Sequence, residues 1–549
     1  MTDASTAPPP GSTCPDAGCV TTCAAAAASH GSLGCDFVVS TPAFNGTTPS
    51  PCFVVFLTNG GATPATIQVA YGATPYDPRV FARIPSAGTP PSSWPVLPDA
   101  GLPPSSVAVL FLSSDPTSSN VGTPLGCPVL DALDAGTEIW GTVLTEPDGA
   151  AILGAATGRG SSWHLSTSVP VSGYDILPFG GARSFLPGAQ LLLPTTAWGT
   201  NYVAALPPVS MSRAAWGQVL AAQDDTHVTV LPSIDLPGGG GVDAAAQGTP
   251  STFTLSANEY LQWQWGLGSA DMSGTILSSD KPILFVGGNG YFCMHSATST
   301  SGGCDSEHET VPPVSSMGYE YAVAPYTTRR ADLMPESVPY RILAAVDGTV
   351  LTFDPPVAGV PAALAQGQVF DFESEQGFIV TSQDAAHPFW IAQSMTGCMV
   401  TSGSRPGVDP TVLVETEDCL GDEDFVGVMT PSQWLSQYEF FTDPTYATTN
   451  LVVTRAKTAS GFADVTVDCA GVLSGWQPIG GSGQYEMTNV DLVRGGQSVA
   501  GCQNGPHVAT SDGPFGLVVW GLDGAASYSY PAGGSFRSIN SVVIPPVPR

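Results

Sequence analysis

The stretch LLLPTTAWGTNYVAALP, Leu191 to Pro207, is stated more than once in this 549-residue chain. Its frame is a proline, four steps to a bulky apolar residue, and four more to a tyrosine: Pro194, Trp198 and Tyr202. PPVSSMGYEYAVAPY repeats it with Pro313, Met317 and Tyr321, and PSQWLSQYEFF carries a looser copy with Pro431, Trp434 and Tyr438. The tyrosines at 202, 321 and 438 stand 119 and 117 residues apart. Self-similarity at a fixed period is the signature of a repeat architecture.

Three more phrases recur in the same order. An acidic turn feeds an alternating strand at Asp225, Asp347 and Asp464. An apolar residue, a small-residue turn and a strand follow at Leu255 to Tyr260, Leu364 to Val369 and Ile479 to Tyr485. A polar turn, a proline and an apolar strand come last, at Pro282, Pro388 and Pro514. Weaker versions lie upstream in ATIQV, LPPSSVAVLFL and TSVPVSGY, the last with Pro170. The prolines are 112, 106 and 126 residues apart, which gives four diverged copies of one unit of about 115 residues.

Only 11% of residues are charged, against the roughly 25% of ordinary soluble domains. Strands recurring every 8–12 residues between Gly, Pro and Asp turns predict an all-β fold of four tandem β-sandwich-like modules. Propeller blades take roughly 40–50 residues, and no half-unit period is present, although the copies can still pack around a common axis. The expected divisions are a Cys- and Pro-containing tether over 1–34, modules over 35–180, 183–295, 308–399 and 425–536, and a tail over 537–549. The tail reads as a last edge strand or a linker. Ala24 to Ala28 can hold one helical turn, and Ala214 to Ala222 is the one other helical candidate.

Lys and Arg total 15 against 46 Asp and Glu, a net charge of −31. That balance argues against nucleic acid, whose phosphates need clustered cations, and against docking to an anionic membrane face. Twelve cysteines without a C-x-x-C pair point to disulfides and an oxidising compartment. No stretch approaches 18 apolar residues, so no membrane span is expected. The N-terminus shows no signal peptide, and an export or lipoprotein signal is expected to precede it. The predicted location is secreted or anchored at the outer surface.

CMHSATSTSGGCDSEHETVPPVSSMGYEYAVAPY, followed by ESVPYRILAAVDGTVLTFDP, resembles the IgGFc-binding protein N-terminal domain family. LPPSSVAVLFL, SVPVSGYDILPFGGA and LLLPTTAWGTNYVA look like the same family's phrases in the same order, so the resemblance spans roughly 35–535. It implies a non-enzymatic extracellular binding or adhesion role, in the manner of secreted or lipid-anchored bacterial members. The Fc-binding activity belongs to the animal namesake, and no residue motif carries it to this chain.

Catalytic chemistry is thin. No G-x-S-x-G elbow or H-E-x-x-H helix accompanies the seven histidines, which read as surface or turn residues. Cys293-x-His295 and Cys304-x-x-x-His308 offer a tetrahedral zinc set, but a Cys293–Cys304 disulfide closing a ten-residue loop is the favoured reading. Cys398–Cys419, Cys469–Cys502 and Cys52–Cys127 are expected alongside it, with Cys35 competing for the last. Cys14, Cys19, Cys23 and Cys35 staple the tether. Acidic runs at Glu415, Glu417, Asp418, Asp422, Glu423 and Asp424, and at Asp305, Glu307 and Glu309, read as solvated loops, with Ca²⁺ as the alternative. No cofactor is otherwise expected. Asn45 opens a glycosylation sequon. Trp263 and Trp265 are two apart on one strand, where they read as core or as a face for a sugar or protein. The predicted partner is a protein or glycan at the cell surface. The rival readings are a carbohydrate-binding or polysaccharide-active protein, and a structural spacer.

Overall fold

A computed structural model describes residues 21–547 apart from 45–48, 87–88, 121, 134–142, 146–150, 154–156, 185, 209–212, 266–270, 301–302 and 410–418. Cys14, Cys19, Asn45, Glu415, Glu417 and Asp418 lie outside the described residues. The fold is nearly all β, in curled sheets whose named pairings are all antiparallel. A helix over Cys23–Ser29, capped by the Thr22 side chain, occupies the expected turn. The 214–222 candidate is instead part of the strand Arg213–Ala221, paired on both edges, as its poor helical spacing allows.

The repeated phrases meet in space. In each of three places the tyrosine hydroxyl donates to the carbonyl of the residue that follows the phrase proline. Tyr202 reaches Ile283 O at 2.6 Å, Tyr321 reaches Phe389 O at 2.6 Å, and Tyr438 reaches Phe515 O at 2.5 Å. Each hydroxyl also accepts the backbone N–H three residues earlier, from Gly199, Gly318 and Leu435. Proline has no N–H to give a ladder, so strands carrying it pair irregularly there. The register slips between Gly199 and Asn201 and between Leu435 and Gln437, and the tyrosine closes the gap. The turn before each tyrosine is a single 3₁₀ turn over Thr195–Ala197, Val314–Ser316 and Pro431–Gln433. Upstream, Gly34 pairs with Val171, next to Pro170, with the same slip, and Phe37 stands where the tyrosine would be.

Each of four strands returns to pair with a long or central strand before it. Gly188–Leu191 pairs with Trp163–Leu177, Asp305–Val311 with Ile276–Phe292, Asp424–Gly427 with Phe389–Met395, and Ala526–Pro531 with Gly505–Asp523. The fourth lies within the expected 425–536 module, whereas the other three fall at or across the start of the module after the one they pair with. The four returning strands, first to fourth in chain order, pack side by side in a closed cycle, the fourth against the first. They are the inner strands of the molecule.

Neighbouring sheets share their cores. Phe56 and Tyr174 pack with Phe441 and Tyr530, and the Tyr174 and Tyr530 rings stack at 4.3 Å. A second core joins Trp263 and Phe285 to Trp390 and Phe425, and a third joins Tyr321 and Ile391 to Trp520. Burying apolar surface against the next sheet, not only within each sheet, holds the assembly together.

The two ends of the chain close the circle. Ser32 N donates to Gly534 O at 2.9 Å, Gly534 N to Ser32 Oγ at 3.1 Å, and Phe536 N to His30 O at 2.8 Å. The C-terminal tail is neither an edge strand nor a free linker. It crosses the 3₁₀ turns, where Asn540 Nδ2 donates to Val314 O and Met317 O, and Asn201 exchanges hydrogen bonds with the Ile544 backbone.

Candidate functional site

The second inner strand, Asp305–Val311, reads DSEHETV, and all seven residues are buried. Side chains alternate along a strand, so Ser306, His308 and Thr310 share one face and Asp305, Glu307 and Glu309 the other. The first face is fully partnered. Ser306 Oγ donates to Leu186 O at 2.8 Å, His308 Nε2 sits 2.8 Å from Asp175 Oδ1, and Thr310 Oγ1 donates to Gln190 Oε1 at 2.8 Å. Gln190 Nε2 donates to Asp175 Oδ2 at 3.0 Å, which links the last two.

The opposite face meets the approach to the third inner strand, Asp422, Glu423 and Asp424. These six carboxylates are all at least nine-tenths buried. The reading of both runs as solvated loops is therefore corrected for Asp305, Glu307, Glu309, Asp422, Glu423 and Asp424, because they form and flank strands that neighbouring sheets cover. Asp424 Oδ1 accepts from Ser529 Oγ at 2.7 Å, Glu309 Oε1 from Gly427 N at 3.1 Å, Glu423 Oε1 from Met294 N at 3.1 Å, and Asp422 Oδ1 from Cys398 N at 3.2 Å. Among the described residues, no hydrogen bond of normal geometry reaches either oxygen of Asp305 or Glu307, nor Glu309 Oε2, Glu423 Oε2 or Asp424 Oδ2.

Burial pushes these groups toward the protonated form. Asp424 is raised to about 7 by burial, against the pull of Ser529 and the Phe425 N–H. Asp305 is driven well above the carboxylate range by burial and then by the charges of Asp422, Glu307 and Asp424. Glu307 follows for the same reasons, with Asp424 and Glu423 as its repelling neighbours. The Ser527 and Phe425 N–H groups ease the two only slightly. The nearby buried Arg329 is engaged by Glu336 at 2.8 Å and by Thr396 O at 2.7 Å.

Beyond Glu309 the inner strands open on a small, partly open pocket lined by Leu191, Leu193, Tyr321, Trp390, Met429 and Phe536 among others. Glu309 is the one ionisable carboxylate in its wall.

A second feature lies on the surface. The loop after Arg329 is tied down on both sides. Arg330 Nη2 meets Asp332 Oδ2 at 2.7 Å, Asp332 accepts from Ser402 Oγ at 2.8 Å, Ala331 N donates to Gly403 O at 2.9 Å, and Thr328 Oγ1 donates to Met334 O at 2.7 Å. At its tip Leu333 has φ +59°, and Leu333 and Met334 are 67% and 57% exposed. A left-handed backbone at a bulky residue costs about 1–3 kcal/mol and persists only where the surroundings impose it. The apolar pair inside the polar run TTRRADLMPES is the sequence signal for this tip, as the acid-every-second-residue pattern of DSEHE is for the axial face.

The sulfurs of Cys293 and Cys304 are bonded to each other, and His308 is turned to Asp175, so the zinc set is not assembled. Cys52–Cys127, Cys398–Cys419 and Cys469–Cys502 are joined as well, and Cys35 is taken by Cys23. Asp468, Cys469 and His507 cluster closely, but Cys469 is held in its disulfide and His507 Nδ1 lies 3.0 Å from Asp468. Trp263 is fully buried and belongs to the core, whereas Trp265 is half-buried, packs against the same core and turns its N–H toward Asp235 O. His308 is likewise a strand residue of the interior rather than a surface or turn histidine.

Among the described residues no helix is long and apolar enough to cross a membrane. Comparison with curated proteins gave no match, and none came from solved structures. A profile described as IgGFc binding protein matches residues 188–521, from the first inner strand to the last long strand. The five disulfides among the described residues fit an extracellular protein, and since the matched span is more than half of the sequence, the chain belongs to the IgGFc binding protein family.

Proposed function

We propose that this chain is a non-enzymatic, extracellular adhesion protein that binds a protein partner through the Leu333–Met334 tip. The observation that carries the reading is an exposed apolar pair held in a fixed, strained conformation. Apolar side chains presented from a pre-ordered loop lose little entropy on binding. Family membership supports a protein ligand. Secretion or anchoring at the outer surface fits the disulfides.

The test presents the purified, oxidised chain to immobilised surface proteins, antibody Fc and a glycan array. Protein binding that Leu333→Ser with Met334→Ser removes at unchanged melting temperature supports the reading. Binding to glycans alone moves it to the carbohydrate alternative. Substrate turnover lost in a point variant ends the non-enzymatic reading, and a blank across all panels leaves a spacer.

A further inference from the structure

We propose that the acidic face of the second inner strand, with Asp305, Glu307 and Asp424 at its centre and Asp422 and Glu423 at its edge, is a binding site for a hard divalent cation of the Ca²⁺ class. The argument begins with charge. Six carboxylates from two chain segments converge in the interior. Of the two cationic candidates beside them, His308 is committed to Asp175, and Arg329, bound to Glu336, lends its charge to Asp422 at the edge and is not among the groups acting on Asp305, Glu307 or Asp424. A carboxylate taken out of water without a counter-charge is costly unless it is neutralised by a proton or a cation.

The second observation is the orphaned atoms. Asp305 and Glu307 are 0% and 1% exposed, and among the described residues no hydrogen bond of normal geometry reaches either carboxylate, the Ser527 and Phe425 N–H groups easing them only slightly. Opposite Glu307 in the sheet is Asn289, whose side-chain N–H₂ is equally buried and unpartnered. A donor and an acceptor paired across two strands, both unused, mark a polar gap rather than a packed wall. Oxygen atoms line it.

The donor set decides the ion. Ca²⁺ takes six to eight oxygens at about 2.3–2.6 Å and tolerates irregular geometry. Zn²⁺ favours nitrogen and sulfur, and here His308 faces the other way and every nearby cysteine is in a disulfide. The carboxylates do not yet share a point, since no three of them come within 4.8 Å of one another. A cation that displaces their protons would draw the carboxylates together, and the long Glu307 and Glu423 side chains are the ones expected to swing.

The experiment uses the full chain with its disulfides intact, stripped with EDTA, desalted and titrated with CaCl₂ at pH 7.5. Saturable heat, one or two bound ions by native mass spectrometry and a melting temperature raised by at least about 2 °C are expected. Asp305→Asn and Glu307→Gln keep size and remove charge. Each is expected to fold and to weaken Ca²⁺ binding at least tenfold. Asp77→Asn and Asp99→Asn, at the exposed Arg79 pair, are expected to leave it unchanged. Absence of heat and of a melting shift in the unaltered chain overturns the proposal, as does a full Ca²⁺ response in both axial variants.

Discussion

The two faces of the second inner strand differ in one respect only, namely what stands opposite. Ser306, His308 and Thr310 look toward the first sheet, where Leu186 O, Asp175 and Gln190 were placed to receive them. Asp305, Glu307 and Glu309 are just as buried and look toward other acids. Burial is therefore not what distinguishes a structural polar group from a functional one; completeness of pairing is. A satisfied buried network fixes the strand, while an unsatisfied one stores a cost that a proton or a ligand relieves.

Breaking the satisfied face has the largest expected effect. Asp175→Ala strands His308 and Gln190 without their shared acceptor and should cost about 3–5 kcal/mol, read from urea denaturation. Asp443 falls between the two faces. One of its oxygens accepts from Thr445 N and Oγ1 while the other has no partner, and burial raises the group to about 6. The folded chain then binds more protons than the unfolded one between pH about 4 and about 6. Its contribution is full below pH about 4 and is lost as pH rises through 6, a change of about 2–3 kcal/mol that Asp443→Asn should flatten. Tyr321→Phe, which leaves Phe389 O and Gly318 N unpaired in the interior, should cost about 1–3 kcal/mol. On the unsatisfied face the sign reverses. Glu307→Gln in EDTA at pH 7.5 should raise stability by about 1 kcal/mol, and a loss there would mean that the two faces are alike. Leu333→Ser with Met334→Ser touches neither face and should stay within about 0.5 kcal/mol in the same measurement.

Much of the fold was legible as repeated phrases because the phrases are contacts. The Pro194–Tyr202 frame and the Pro282 turn recur together since a tyrosine hydroxyl closes the gap that a proline opens. The upstream copy is legible in its later phrases but not in the proline–tyrosine phrase, because Phe37 stands at the tyrosine position and carries no hydroxyl. The acids were legible as acids, and the alternation in DSEHE already put three of them on one side. Their burial was not legible, since it is imposed by segments more than a hundred residues away, such as Asp422 to Asp424. Trp263 shows the converse: an i, i+2 pair names a face without saying which side of it is covered.

The clasp between Ser32 and Gly534 joins residues 502 apart in sequence. During synthesis the first inner strand, Gly188–Leu191, waits for its neighbour Ala526–Pro531 until almost the whole chain has been made. Contacts of such separation form late and slowly, and sheet edges exposed in the meantime invite wrong pairing. The end of the chain is thus a timing device as much as a tail: the arrival of Ala526–Pro531 converts an open row of sheets into a closed circle, the clasp at Gly534 then fastens it, and a chain stopped short of Ala526 would leave synthesis as an arc.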